Sequence, residues 1–379
     1  MTFELLRLPL PLDAPGTSAE LAWYRLGPPD AKAKVYLQAA LHADELPGTM
    51  VLHHLLPMLR DADAGGQLRA RFSVVPMANP IGMSNLSFRR HLGRYDPGTG
   101  LNYNRRWPDL FAALGEVIAP LLTEDAAENI ATIRNAVRTF LDEQQPSTAA
   151  QALRLALLRE AQDADFVLDL HCDDEALPHI FTSPEFMPGL QDLADWMGLA
   201  ATLTATDSGG GSFDEMLPIF YRKLGAANPG KPVPMASQTA TLEYRGQADV
   251  SDKQGFDDAE RLFGFFAGRG LIAADTGPRP DAAPAATPFE ATEVLRVEAP
   301  GLLAYRVRLG DRVKRGDVVA DLIALDGPEP FVSRTPITAG TDGLVLSQRQ
   351  AKYVRRGDGI AKIVGTEPLP ERGSYLLED

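Results

Sequence analysis

Runs of apolar residues alternate with amphipathic segments over most of the first 276 residues. The apolar runs have the length of buried strands and cover residues 35–41, 72–77 and 166–170. The amphipathic segments have helical spacing and cover residues 46–59 and 149–163. Apolar strands that alternate with helices are typical of a mostly parallel or mixed sheet with helices on both faces. The pattern predicts an α/β fold, with an inserted helical segment at about 109–147.

A Pro- and Ala-rich stretch separates this region from a shorter one. Residues 277–289 have no hydrophobic period, which predicts a stiff linker between a domain at 1–276 and a domain at 290–379. The second region contains an internal repeat, in which Gly301-Leu302-Leu303 and Gly343-Leu344-Val345 each lead to a Gly-Asp turn. Two such halves predict a small all-β barrel-sandwich.

This C-terminal region resembles the biotinyl/lipoyl-type domains, which carry a modifiable lysine at the hairpin between the two halves. Residues 325–330 occupy that position and contain no lysine. We therefore expect an accessory or lid role for this domain rather than a carrier role.

Composition and charge exclude several classes of protein. The chain has 379 residues, a formal net charge of −14 and 45% hydrophobic residues. An acidic chain without a lysine-rich block argues against binding to nucleic acid or to an anionic membrane. The start of the sequence does not resemble a secretory signal, and no window has the roughly 18 apolar residues of a membrane span. The single cysteine, Cys172, excludes a disulfide framework and a thiolate-only zinc site. These features predict a cytoplasmic protein.

Candidate metal ligands follow two of the predicted strands. His42-Ala43-Asp44-Glu45 comes at the end of the first apolar run, and Asp169-Leu170-His171 closes the run at 166–170. Because sites in open α/β sheets form at the carboxyl ends of strands, both histidines are expected at one edge. Imidazole and carboxylate ligands suit zinc, and a catalytic zinc keeps three protein ligands and one open position. Of the remaining histidines, His53 and His54 fall in a predicted helix and are expected to be packed or solvated, and His91 lies in a basic loop. His179 is expected to pack or to contact the substrate rather than a metal.

A zinc hydrolase also needs a carboxylate that is not a ligand, to move a proton from water to the leaving group. Glu243 ends the strand-like segment Thr239-Ala240-Thr241-Leu242 and is the candidate. Taken alone, this motif would favour a strand-end carboxylate in a salt bridge with Arg245.

The set of motifs resembles the zinc carboxypeptidase clan and, within it, the aspartoacylase/succinylglutamate desuccinylase family. The His-x-x-Glu pair, the later histidine and Thr241-Leu242-Glu243-Tyr244-Arg245 follow the clan's order. Asn79-Pro80-Ile81-Gly82 resembles its Asn-Pro-x-Gly turn, and residues 100–107 resemble its Asn-Arg segment. The resemblance covers about residues 30–270, and a C-terminal β domain is typical of the deacylase branch.

The resemblance implies roles for individual residues. His42, Glu45 and His171 would hold one zinc ion per chain, and Glu243 would act as general base and acid. Asn104 and Arg105 would bind the carboxylate of the substrate, since a guanidinium matches two carboxylate oxygens. A further arginine would polarise the scissile carbonyl, with Arg94 preferred over Arg89 and Arg90.

Asn102, in the same segment and also expected to bind the substrate, departs from the pattern of the family. The carboxypeptidases have at this position an aspartate that orients the first zinc histidine. An amide accepts a hydrogen bond but adds no charge, so the basicity of that ligand is expected to be lower.

Three functions remain open from the sequence. The first is a zinc-dependent hydrolase that cleaves the amide bond of an N-acyl amino acid or a similar small carboxylate-bearing amide. The second is a metallocarboxypeptidase that acts on short peptides. The third is a non-catalytic binding module, which the complete set of ligands and the glutamate disfavour. A homo-oligomer is compatible with all three.

Overall fold

The computed structural model of the chain describes residues 2–12, 14–278, 280–326 and 332–377. A nine-stranded mixed sheet lies at its centre, in the order β1-β2-β4-β3-β7-β11-β9-β10-β12. Its strands are β1 Glu4–Leu10, β2 Ala19–Leu26, β3 Ala33–Ala39, β4 Ala70–Val75, β7 Phe166–Asp173, β9 His179–Thr182, β10 Ala201–Thr204, β11 Gln238–Gly246 and β12 Thr287–Pro288. Strands β4, β3, β7 and β11 run parallel to one another, and β9 is antiparallel to β11.

Helices cover both faces of this sheet. They are α1 Pro47–Ala64, α2 Pro80–Met83, α3 Leu110–Ile118, α4 Ala126–Glu143, α5 Ala149–Ala161, α6 Gln191–Met197, α7 Phe213–Ala227 and α8 Asp252–Gly268. The helical segment expected at about 109–147 contains α3 and α4. The α/β class predicted from the sequence is confirmed. Within the described parts of the chain, no helix combines the length and the apolar character needed to cross a membrane.

Alternation along the strands divides the core into two layers. Val35 and Leu37 of β3 pack in one cluster with residues of α1 and α8. Tyr36, on the opposite face, packs in a second cluster with residues of α3, α4, α5 and α7. In β7 the same alternation places Leu168 in the first cluster and Val167 in the second. Side chains of odd-numbered residues in β7 therefore face the layer that contains α7.

The C-terminal region consists of antiparallel strands, as predicted. They are β13 Thr292–Arg296, β14 Gly301–Tyr305, β15 Arg312–Val313, β16 Val318–Ile323, β17 Arg334–Thr338, β18 Gly343–Gln348, β19 Tyr353–Val354 and β20 Gly359–Val364. They form two sheets, β13-β20-β18-β15 and β17-β16-β14-β19, around a small apolar core. The hairpin tip predicted at 325–330 lies largely outside the described residues, which stop at 326 and resume at 332.

Two further short pairs of strands bear on the site. β5 Leu86–Ser87 and β6 Arg90–His91 form a small hairpin. β8 Glu175–Ala176, directly after β7, pairs with β18 of the C-terminal region. Lys362 of β20 also pairs with Asp173 at 2.5 Å, and Lys352 pairs with Glu175 at 3.0 Å. The C-terminal region is thus joined to the segment that follows His171.

Candidate active site

His42 and His171 meet because their strands are neighbours. His42 follows β3 by three residues, His171 lies in β7, and the two strands are parallel and in contact. Their rings lie 5.0 Å apart and are nearly perpendicular, at 81°. Asn79 supports this turn, since its side-chain amide donates to the carbonyl oxygen of Leu41 at 3.0 Å. The edge of the sheet therefore brings together the two histidines that the sequence predicted.

Glu45 lies between these histidines. Its Oε1 is 3.0 Å from His42 Nδ1, and its Oε2 is 2.7 Å from His171 Nδ1. All three side chains are buried. One ligand atom from each residue lies within 4.8 Å of the others. Two imidazole nitrogens and one carboxylate at these separations are a donor set that suits zinc and leaves room for a further ligand.

The Nε2 atoms of the two imidazoles have different partners. His42 Nε2 lies 2.7 Å from Oδ1 of Asn102. His171 Nε2 lies 3.0 Å from Oδ2 of Asp169. Burial, reinforced by the charge of Arg94, lowers the pKa of His42 to about 4, so this imidazole is neutral at pH 7. A neutral imidazole is the form that binds a metal.

Glu243 faces the same site from the next strand. It is the register partner of His171 in the parallel pair of β11 and β7. In the described chain its Oε2 has no hydrogen-bond partner. Burial and the negative charge of Glu45 raise the pKa of Glu243 to about 8. A carboxyl group with a raised pKa can hold or release a proton near neutrality.

Arg245 does not neutralise Glu243. Its guanidinium instead forms two hydrogen bonds with Asp258 of α8, at 2.6 and 3.0 Å. The backbone of Arg245 has a φ of 66°, and the register of β11 shifts between Glu243 and Gly246. The irregularity turns Arg245 toward α8, so the salt bridge that was one interpretation of this motif does not form.

The arginines of residues 89–106 separate into two groups. Arg94 Nη1 donates to Glu45 Oε1 at 2.7 Å and lies 3.2 Å from His42 Nδ1. Arg105 is buried, and its Nη1 donates to the carbonyl oxygen of Asn104 at 2.9 Å. Arg89 and Arg90 lie on the exposed β5–β6 hairpin and do not line the cavity that contains the other two.

Asn104 has two contacts at the site. Its Oδ1 accepts a hydrogen bond from the backbone N–H of Phe213 at 2.9 Å. Its Nδ2 lies 3.5 Å from His171 Nε2. Asn102 Oδ1, besides its contact with His42, accepts the backbone N–H of Asn104 at 2.8 Å. Asn104 and Arg105 line the cavity, whereas Asn102 lies behind His42.

Arg154 of α5 holds the backbone of this segment, a role that sequence reasoning missed. Its Nη2 donates to the carbonyl oxygens of Asn102, Tyr103 and Arg105 at 3.0, 3.2 and 2.9 Å. A Cβ on Gly210 would lie 3.0 Å from Cδ of Arg105, so the absence of a side chain at Gly210 permits close packing there. The amphipathic pattern of α5 gives no sign of this contact.

A cavity of about 800 Å³ contains these groups. One wall comes from the site residues His42, Glu45, Arg94, Asn104, Arg105, His171 and Glu243. The C-terminal region also lines the cavity, including residues 347–351 and 357–362. His53, His54, His91 and His179 do not line it; His179 is buried with Nδ1 2.9 Å from the carbonyl oxygen of Leu177.

Residues 31–203 match the model of the succinylglutamate desuccinylase/aspartoacylase catalytic domain. This part of the chain belongs to that family. The matched residues include strands β3 and β7. They therefore include His42, Glu45 and His171. The family is one of deacylases. No curated protein matches the chain in sequence.

Solved structures share the fold over almost the whole chain. A protein of the family from Shewanella frigidimarina NCIMB 400 is 21% identical, with a TM-score of 0.82 over 96% of this chain and 97% of the other. A family protein from Shewanella amazonensis SB2B is 24% identical, with a TM-score of 0.81 over 95% and 98%. The ectoine utilization protein EutE from Ruegeria pomeroyi is 18% identical, with a TM-score of 0.67 over 96% and 95%. At these identities the likeness concerns the fold.

Proposed function

We propose that the protein is a zinc-dependent hydrolase that cleaves the amide bond of an N-acyl amino acid or a similar small amide with a carboxylate. One observation carries this proposal. Glu243 has a carboxyl oxygen without a hydrogen-bond partner in the described chain, and it lines the same cavity as His42, Glu45 and His171. A carboxyl group with an unpartnered oxygen beside a metal-binding group is the arrangement that hydrolysis of an amide requires.

His42, Glu45 and His171 would hold one zinc ion per chain. The fit rests on the donor set, which is two imidazole nitrogens and one carboxylate, all buried and within 4.8 Å of one another. Zinc, when bound, lowers the pKa of water and acts as a Lewis acid toward a carbonyl oxygen.

Glu243 takes the proton of the attacking water and returns it to the leaving amine. Its raised pKa, about 8, suits both halves of this transfer because the group exchanges a proton near neutrality. Arg94 faces the ligand group and stabilises the negative charge that develops on the carbonyl oxygen. Arg105, on the same wall of the cavity, binds the carboxylate of the substrate together with Asn104.

The extent of the cavity supports a small substrate. We propose that residues 1–276 form the hydrolase domain and that residues 290–379 act as an accessory domain that walls the cavity. Residues on both sides of the site line a space of about 800 Å³, and small-molecule sites typically have about 300–1,000 Å³. A cavity of this size that the C-terminal region also lines disfavours long peptides.

A panel of acetyl-, succinyl- and longer-acyl amino acids, assayed for amine release with zinc present, tests the proposal. The expected result is turnover of at least one of these compounds, with Glu243→Gln as the matched inactive control. Faster cleavage of the C-terminal bond of short peptides would identify a metallocarboxypeptidase instead. Absence of turnover on the whole panel by zinc-loaded protein would contradict hydrolysis.

A further inference from the structure

Asp169 is a carboxylate inside the sheet, directly behind a proposed zinc ligand. It lies in β7 two residues before His171, so both side chains point to the same face of the strand. Its side chain is 0% exposed. It interrupts an otherwise apolar run at 166–170, and the sequence pattern assigns it no role.

His171 is the ion-pair partner of this carboxylate. Nε2 of the imidazole lies 3.0 Å from Asp169 Oδ2, while Nδ1 lies 2.7 Å from Glu45 Oε2. Within the described residues, neither carboxylate oxygen of Asp169 has a hydrogen-bond partner that meets ordinary geometry. A buried charge without compensation is very costly, so with a metal on Nδ1 the remaining proton of the imidazole would be held on Nε2, on the side of Asp169. Nδ1 would then present its lone pair to the metal.

The register partners of Asp169 are polar but neutral. Gln38 of β3 and Thr241 of β11 are its register partners on the two sides. Tyr36 donates its hydroxyl to Gln38 Oε1 at 2.7 Å, which leaves that amide oxygen occupied. Asn104 Nδ2 also approaches His171 Nε2, but at 3.5 Å and without charge. The closer and charged Asp169 therefore dominates the environment of Nε2.

His42 differs from His171 in the partner of its Nε2, which is an amide rather than a carboxylate. Its Nε2 faces Asn102 Oδ1 at 2.7 Å, and an amide supplies no negative charge. We propose that Asp169 is a positioning residue that fixes the tautomer and orientation of His171 and supplies, behind this second histidine, the charge that Asn102 does not supply behind the first. The inference rests on the proposed function, because it assigns a role toward zinc.

Zinc affinity, measured by competition with a chromogenic chelator, tests the role without an activity assay. The full-length wild type is compared with Asp169→Asn, Asn102→Asp and the double variant. Carboxylates hydrogen-bonded to metal-binding histidines contribute about 10- to 100-fold to affinity. Asp169→Asn is expected to weaken zinc binding by such a factor and to alter the absorption spectrum of the cobalt-loaded protein. In the double variant, the new carboxylate behind His42 is expected to restore part of the affinity.

The rescue separates positioning from a general structural role, since a carboxylate behind a different histidine does not repair damaged packing. Wild-type zinc affinity and an unchanged cobalt spectrum in folded Asp169→Asn would overturn the inference. If Asp169→Asn does not fold, nuclear magnetic resonance of isotope-labelled histidines in zinc-loaded wild type decides. A proton on Nε2 of His171, with Nδ1 bound to metal, is expected, and metal on Nε2 would overturn the inference. Wild type that binds no zinc would instead contradict the proposed function.

Discussion

Glu243 lies opposite His171 in the register of the parallel strands β11 and β7. Because alternate residues of a strand share a face, Thr241 accompanies Glu243 as Asp169 accompanies His171. The proposed base and a proposed ligand are thus held by adjacent rigid strands rather than by separate loops. Sites built on such elements are held in place more accurately than sites on loops.

Glu243→Gln is expected to abolish turnover without loss of metal. The amide cannot take the proton of water, and general-base catalysis contributes roughly 10²- to 10⁴-fold. Steady-state kinetics and zinc analysis of the same preparation check this. Glu116→Gln, on an exposed position of α3, is the matched control and is expected to retain wild-type kcat. A Glu243→Gln variant with more than a tenth of wild-type kcat would contradict the role.

Arg94→Lys is expected to lower kcat, by roughly 10²- to 10³-fold, with a smaller change in KM. Lysine keeps the charge but loses the planar fork that contacts Glu45 and faces the site. Arg89→Ala and Arg90→Ala serve as controls, since both residues lie on the exposed hairpin outside the cavity. Comparable losses of kcat in the three variants would mean that the overall positive charge of this segment, and not the position of Arg94, is responsible.

Arg105→Lys is expected to raise KM more than it lowers kcat. A carboxylate that is bound equally in the ground and transition states contributes to KM alone. Loss of two-point recognition is expected to raise KM by about tenfold, which corresponds to about 1.4 kcal/mol. The comparison requires a second substrate that lacks the carboxylate, whose KM should be the same in wild type and variant. An equal rise in KM for both substrates would mean that the carboxylate of the substrate is bound at a site other than Arg105.

Lys362→Met is expected to destabilise the protein at neutral pH. Lys362 pairs with Asp173, where both side chains are less than one fifth exposed. Although burial opposes it, Lys362 lowers the pKa of Asp173 from 3.8 to about 2. Loss of such a partly buried pair costs about 1–3 kcal/mol, less than the value for a fully buried pair because water screens it.

The pH dependence of this effect follows from the direction of the shift. Since the pKa of Asp173 is lower in the folded chain, the pair stabilises fully above about pH 4 and its contribution is lost as the pH falls toward 2. The free energies of unfolding of wild type and Lys362→Met, measured with urea, should therefore converge as the solution is acidified. Lys253→Met removes an exposed lysine paired with Asp257 and should leave the free energy of unfolding nearly unchanged. A difference in the free energy of unfolding between wild type and Lys362→Met that does not change with pH would contradict the ion pair as its source.

The sequence predicted what depends on local patterns. Apolar runs located β3, β4 and β7, and the position of His42 and His171 at strand ends predicted their meeting. The turn of Arg245 toward Asp258 was not predictable, because regular alternation would place Arg245 on the face of Glu243. The pairing of Asp173 with Lys362 joins residues 189 positions apart and has no local signature.

The most direct test of the account measures zinc content and amine release in one preparation. Wild type is assayed as purified, after removal of metal with a chelator, and after addition of zinc, beside Glu243→Gln treated identically. The account predicts one zinc per chain in both proteins, loss of wild-type turnover with the metal and its return with zinc, and no turnover by Glu243→Gln at any stage. Turnover by metal-free wild type, or by zinc-loaded Glu243→Gln at the wild-type rate, would contradict it.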